Sequence, residues 1–111
     1  MTDRFDVRLS APAERDIQSI YEYLYAHGSP DIAGDLLDKL LDRIDSLEFF
    51  PMRGAIVPEV EIDADELRQF IVSVYRGIYV VEDDVVLIVA VIDGRRDVRS
   101  FLQDRLLQPP D

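Results

Sequence analysis

The sequence contains no cysteine, which excludes a disulfide framework and a thiolate metal site and fits a reducing compartment. It has one histidine, His27, and one lysine, Lys39, so side chains that commonly carry protons in catalysis are scarce. No apolar run approaches the roughly 18 residues of a membrane span. The opening MTDRFDVRLS mixes acid and base within four residues and has no apolar stretch of signal-peptide type. A cytoplasmic protein without a membrane segment is expected.

What is present sharpens the picture. The 111 residues, 48% of them hydrophobic, suffice for one core, and a single domain over 1–111 is expected. The formal charge of −11 opposes a polyanion, because phosphate contacts need local cations that release counterions. Nucleic acid is therefore not expected as a direct partner. All basic residues except Lys39 are arginines, which favour fixed, forked hydrogen bonds over mobile point charge. From Asp93 onward four arginines meet four aspartates, so residues 1–92 carry the whole −11. The tail is the least repulsive surface for an anionic partner.

Periodicity predicts the elements. Phe5 to Leu9 alternates as a half-buried strand. Ser10 and Pro12 open a helix whose stripe is Ala13, Ile17, Ile20 and Leu24, ending at His27-Gly28. Ser29-Pro30-Asp31 restarts a helix at once, which predicts a helical hairpin. The second helix is expected to reach about Phe50, with Pro51 stopping it. Its apolar face is Ala33, Leu36, Leu37, Leu40, Ile44 and Leu47, opposite a ridge of Asp31, Asp35, Asp38, Asp42 and Asp45. Pro51 to Glu66 reads as an exposed connection with a short extended piece at Ala55 to Val57. Leu67 to Tyr75 and Ile78 to Glu82 read as strands with a bulge or break at Gly77. Asp83-Asp84 is the turn into Val85 to Ile92, aliphatic enough to be buried on both faces. Asp97 caps a short helix through Leu107, and Pro109-Pro110 ends it. The expected class is α+β, of order β-α-α-β-β-β. A helical hairpin packs on a mainly antiparallel sheet, followed by a short C-terminal helix.

Four local patterns in this order resemble the ParE branch of the RelE/ParE toxin superfamily. They are Leu9-Ser-Ala-Pro-Ala-Glu-Arg-Asp-Ile17, Ala33 to Leu47 followed by Pro51-Met-Arg-Gly54, Leu67-Arg68, and Tyr75-Arg-Gly-Ile-Tyr79 leading to Val91-Ile-Asp-Gly-Arg-Arg-Asp97. The resemblance implies a toxin of a type II toxin–antitoxin module, neutralised in a hetero-oligomer by a ParD-like antitoxin and directed at DNA gyrase by binding, without a cofactor. Members often carry His where Asp93 stands and a basic residue near Ala90. This chain departs at both positions.

The candidate surface for target or antitoxin begins with Arg95 and Arg96, presented just after a buried strand, where arginine forks suit carboxylates or phosphates. Asp93 belongs to the same turn. The plain alternative is that Arg96 pairs with Asp97, Asp93 or the acidic connection. Arg68 and Arg76 flank one strand region, and in the ribonuclease branch comparable arginines stabilise a scissile phosphate. A RelE-like endoribonuclease is thus the alternative function, and an inactive antitoxin-binding homologue a third. No catalytic residue is assigned: His27 is expected to cap a helix end, and Lys39 lies on the hairpin. Tyr75 and Tyr79 complete the candidate surface, although aromatics at strand spacing commonly pack in a core with the polar tip outward. Tyr21, Tyr23 and Tyr25 cannot share one helix face, so at least one is exposed and available as a partner anchor. The aspartate ridge either imitates a row of phosphates or is simply a solvated face. The acids between Glu59 and Glu66 lack the glycine and register of a calcium loop, and no metal site is expected.

Overall fold

The computed structural model describes residues 4–60 and 66–107. β1 (Asp6–Leu9) leads into α1 (Ala11–His27) and α2 (Pro30–Ser46). A single 3-10 turn at Pro51–Arg53 and the two-residue β2 (Ala55–Ile56) follow. β3 (Arg68–Val72), β4 (Tyr75–Glu82), β5 (Val85–Asp93) and α3 (Val98–Leu106) complete the chain. The helix starts arise from local chemistry. Ser10 accepts from the Ala13 N–H and Ser29 from the Ile32 N–H, both at 3.1 Å, each just before a first-turn proline. His27 lies close to the Tyr23 carbonyl, with Nδ1 3.1 Å from the oxygen at the C-terminal turn of α1.

The sheet has the order β1-β5-β4-β3-β2. β1 runs parallel to β5, and the other pairings are antiparallel. A parallel neighbour needs a long crossover, which α1 and α2 supply before the hairpins bring β5 back to β1. The helical hairpin covers one face, burying Ala13, Ile17, Leu36, Leu40 and Ile44 with Phe70, Tyr79, Val86 and Ile88. On the other face Val98 and Leu102 of α3 pack with Val57, Leu67, Ile78, Ala90 and Ile92. β5 is thus covered on both sides, as its aliphatic composition predicts. The five aspartates of α2 are all exposed.

Three boundaries differ from the sequence reading. α2 ends at Ser46 rather than near Phe50, because its apolar stripe finishes at Leu47. Tightened bonds from Leu47, Glu48 and Phe49 to carbonyls three residues back unwind it. Leu67 to Tyr75 is not one strand: Ser73-Val74 forms a turn, with Ser73 at φ 56°, and Tyr75 opens β4. Gly77 is no break. It lies inside β4 beneath Phe70, where a Cβ would meet the ring at 2.1 Å. The bulge comes one step later, where the β4–β5 register shifts between Ile78 and Tyr79. It lets Val89 and Ala90 pack on the α3 side, whereas Ile88 and Val91 belong to the hairpin side. The expected extended piece at 55–57 is β2, one residue shorter. Within the acidic connection, residues 61–65 lie outside the described residues, as does the expected stop at Pro109-Pro110.

Candidate functional site

β5 delivers Asp93 to a turn in which the Arg96 N–H donates to the Asp93 carbonyl at 3.1 Å. Arg95 folds back on the same residue. Its Nη2 reaches Asp93 Oδ2 at 2.6 Å, and its Nε and backbone N–H both reach Oδ1. These bonds from Arg95 hold the Asp93 carboxyl down at about 2. Arg96 is exposed, and among the described residues its side chain makes no hydrogen bond or ion pair. Asp93 thus pairs with Arg95, and the alternative pairing of Arg96 with Asp97, Asp93 or the acidic connection is not found among the described residues.

Beside this turn runs a groove. One concavity of about 480 Å³ lies among Ser19, Ile20, Tyr23, Val91, Arg96 and Phe101. A second, about 410 Å³, lies among Ile32, Lys39, Val74 and neighbours, and both share Tyr23, Tyr75 and Arg95. The groove thus joins the end of α1, the start of α2, the β3–β4 turn and the exit of β5. Its charged lining is three acids (Asp16, Asp35, Asp93) and three bases (Lys39, Arg95, Arg96), a neutral patch on a chain of −11. Tyr23 is 60% exposed, which meets the expectation that one α1 tyrosine is available. A separate hollow of about 530 Å³ at the opposite end of β5 has four acids (Asp6, Asp45, Glu48, Asp84) against one base (Arg4), with Phe5 and Val7 as its apolar lining, and is more repulsive than the groove to an acidic partner.

Tyr75 is buried at the groove floor, where burial, and then the Asp93 charge, push its hydroxyl upward. With Tyr75 neutral and Asp93 ionised at neutral pH, neither is poised to exchange a proton there. Tyr79 corrects the expectation of an outward polar tip. It is fully buried, and its hydroxyl donates to the Pro51 carbonyl at 2.6 Å.

The two strand arginines are not brought together. Arg68 shares the hairpin face with Tyr79, its register partner, and donates to the Gly54 carbonyl at 2.8 Å and to Glu66. Arg76 faces α3 and is held by Gln69 and Glu59. They occupy opposite faces of the sheet, so one phosphate cannot engage both.

Sequence reasoning missed a further pair. Asp16 and Arg105 form two 2.8 Å bonds, both side chains about 15% exposed or less. β1 pairs with β5 only as far as Ile88. Past that point Asp16 accepts from the Val91 N–H at 3.0 Å, and Arg105 donates to the Val89 carbonyl at 2.9 Å. The pair replaces a missing strand along the edge of β5. The available signal was an acid within the apolar stripe Ala13, Ile17, Ile20, and an arginine in line with Val98 and Leu102.

Comparison with known proteins decides the family. The profile of the ParE toxin of the type II toxin-antitoxin system, parDE, matches residues 7–98. The chain belongs to the ParE toxin family. Its fold is similar to a chain of the chromosomal ParDE TA system from P. aeruginosa, with a TM-score of 0.69 at 15% identity, covering 83% of this chain and 98% of that one. It is also similar to a chain of the archaeal RelE-RelB complex from Pyrococcus horikoshii OT3, with a TM-score of 0.56 at 22% identity, covering 86% and 99%. No curated protein sequence matches significantly. Among the described residues no helix of this ParE-family chain is long and apolar enough to cross a membrane, and no group of side chains is arranged to hold a metal ion.

Proposed function

We propose that this ParE-family toxin acts in the cytoplasm by binding DNA gyrase, without covalent chemistry of its own, and is held inactive by a ParD-like antitoxin. The observation that carries the non-enzymatic part is the separation of Arg68 and Arg76 on opposite sheet faces, which keeps them from converging on one phosphate. A nuclease needs cations convergent on one phosphate and a positioned base or acid. The groove around Tyr23, Tyr75 and Arg95 supports a protein partner, since it joins apolar walls to a neutral patch with two bases, Lys39 and Arg96, whose side chains have no partner among the described residues. An amphipathic antitoxin segment with an apolar ridge and one or two carboxylates suits that lining.

The test is supercoiling of relaxed plasmid by purified gyrase with ATP and increasing toxin. Loss of supercoiling with accumulated linear DNA is the expected result. An unaffected, active cognate gyrase would sink this mechanism. Site-specific cleavage of messenger on ribosomes would then mark the RelE-like reading, and binding to antitoxin without toxicity the inactive homologue.

A further inference from the structure

Arg76 sits in a setting built around its side chain. Its stem crosses beneath Gly94, where a Cβ would stand 2.9 Å from Cδ and 3.1 Å from Cγ. Gly94 is itself fixed by its N–H donating to the Val74 carbonyl at 2.8 Å. The guanidinium therefore arrives in one orientation, its side chain only 12% exposed. Nε donates to Gln69 Oε1 at 2.6 Å, while Nη1 and Nη2 chelate the two Glu59 oxygens at 2.6 and 2.8 Å. A planar fork gripping both oxygens of a carboxylate is the usual arginine mode of oxyanion recognition.

The two sides of this contact differ in origin. Arg76 and Gln69 belong to adjacent strands of the sheet. Glu59 belongs to neither strand nor helix, and is the more exposed member of the pair. The Arg76 fork, ahead of every other influence, holds the Glu59 carboxyl below the usual carboxylate range. One carboxylate thus rests on a guanidinium fixed by the sheet, while a turn outside the sheet carries it.

We propose that Arg76, oriented by Gln69, forms an oxyanion receptor whose resident ligand is the chain's own Glu59, and that a carboxylate or phosphate group of a partner exchanges with it. The exchange would free the turn that carries Glu59, while Val57, buried in the core and bonded to the Leu67 carbonyl, stays seated. It is independent of the gyrase reading, since it concerns the sheet face away from the hairpin. A tethered ligand competes at an effective concentration of millimolar order or above. Free anions therefore fail to enter the wild-type receptor at low millimolar levels. Removing the tethered carboxylate opens it.

The test titrates inorganic phosphate, and separately acetate, into the full chain as wild type, E59A and E59Q, read by calorimetry and by the Arg76 Nε–H signal in nitrogen-15 spectra. Phosphate should bind E59A about tenfold or more tightly than wild type, move the Arg76 signal, and lose its gain in the E59A/R76Q double variant. Binding of phosphate alone assigns a phosphate-bearing partner. Comparable gain with acetate assigns a carboxylate. A folded E59A or E59Q with no gain for either anion overturns the proposal. Failure of both variants to fold also overturns it, because a ligand that must leave cannot be indispensable to the fold.

Discussion

Beneath α1 and α2 the sheet is held by a broad apolar contact in which Leu40, Ile44, Phe70, Tyr79 and Ile88 are almost wholly excluded from water. On the other face α3 adds Val98, Leu102 and half-buried Phe101 to a smaller cluster with Val57 and Leu67, and ion pairs reinforce it, through Arg105 to Asp16 and Arg76 to Glu59. Apolar burial is non-directional and hard to exchange, whereas an ion pair can trade one oxyanion for another. The hairpin side is thus the frame, and the α3 side is where binding events can be written into the fold.

Breaking the frame should cost most. Leu40→Ala, at a site 1% exposed, is expected to lose about 3 kcal/mol of stability in urea unfolding, from lost transfer energy and the cavity left behind. Amide protection should fall throughout the sheet. Arg105→Ala strands the Asp16 charge and frees the Val89 carbonyl, and should cost about 2 kcal/mol, below a fully buried pair because some water reaches it. Its signature in hydrogen exchange is local: α3 and the Val91 amide lose protection while α1 and α2 keep theirs. Equal loss in both helical layers would abolish the contrast between the two sides of the sheet. Tyr79→Phe leaves the Pro51 carbonyl without its donor and should cost about 1 kcal/mol, measurable as a lower urea midpoint.

The smallest effects are set by pH. Asp93 has a folded pKa of about 2 against an ordinary 3.8, so its contribution is complete above the ordinary value and is lost as pH falls towards 2. Because Arg95 is exposed the change is slight. Comparing the acid limb of the stability curve for wild type and Asp93→Asn should show that component disappear. Tyr75 and Tyr79 run the other way. Burial raises both from 10.0, so the fold prefers the neutral phenols, and stability should decline as pH rises beyond about 10.

The hairpin side was legible in the sequence because its cues are local: Ser10 and Ser29 before first-turn prolines, and apolar spacings of three and four. The β3–β4 turn was not, because Ser73-Val74 carries none of the glycine, asparagine or aspartate that usually marks a left-handed position. The groove was only half legible. Arg95, Arg96, Asp93 and Tyr75 could be named as candidates, but Tyr23 and Lys39 join them through tertiary packing of three distant segments. Arg68 and Arg76 looked like neighbours in function because they bracket one stretch of sequence. Their sides are set by the turn at Ser73, which neither residue announces.

The clasp between Asp16 and Arg105 spans 89 positions of the chain. During synthesis Asp16, with β1 and the helical hairpin, leaves the ribosome well before Arg105 does. Until then the emerging protein carries a bare strip along β5, with the Val89 carbonyl and Val91 amide unmatched, and an uncovered apolar face at Ile78, Ala90 and Ile92. The final turn of α3 closes that strip, so a nascent molecule that has not yet released Arg105 keeps the edge of β5 open.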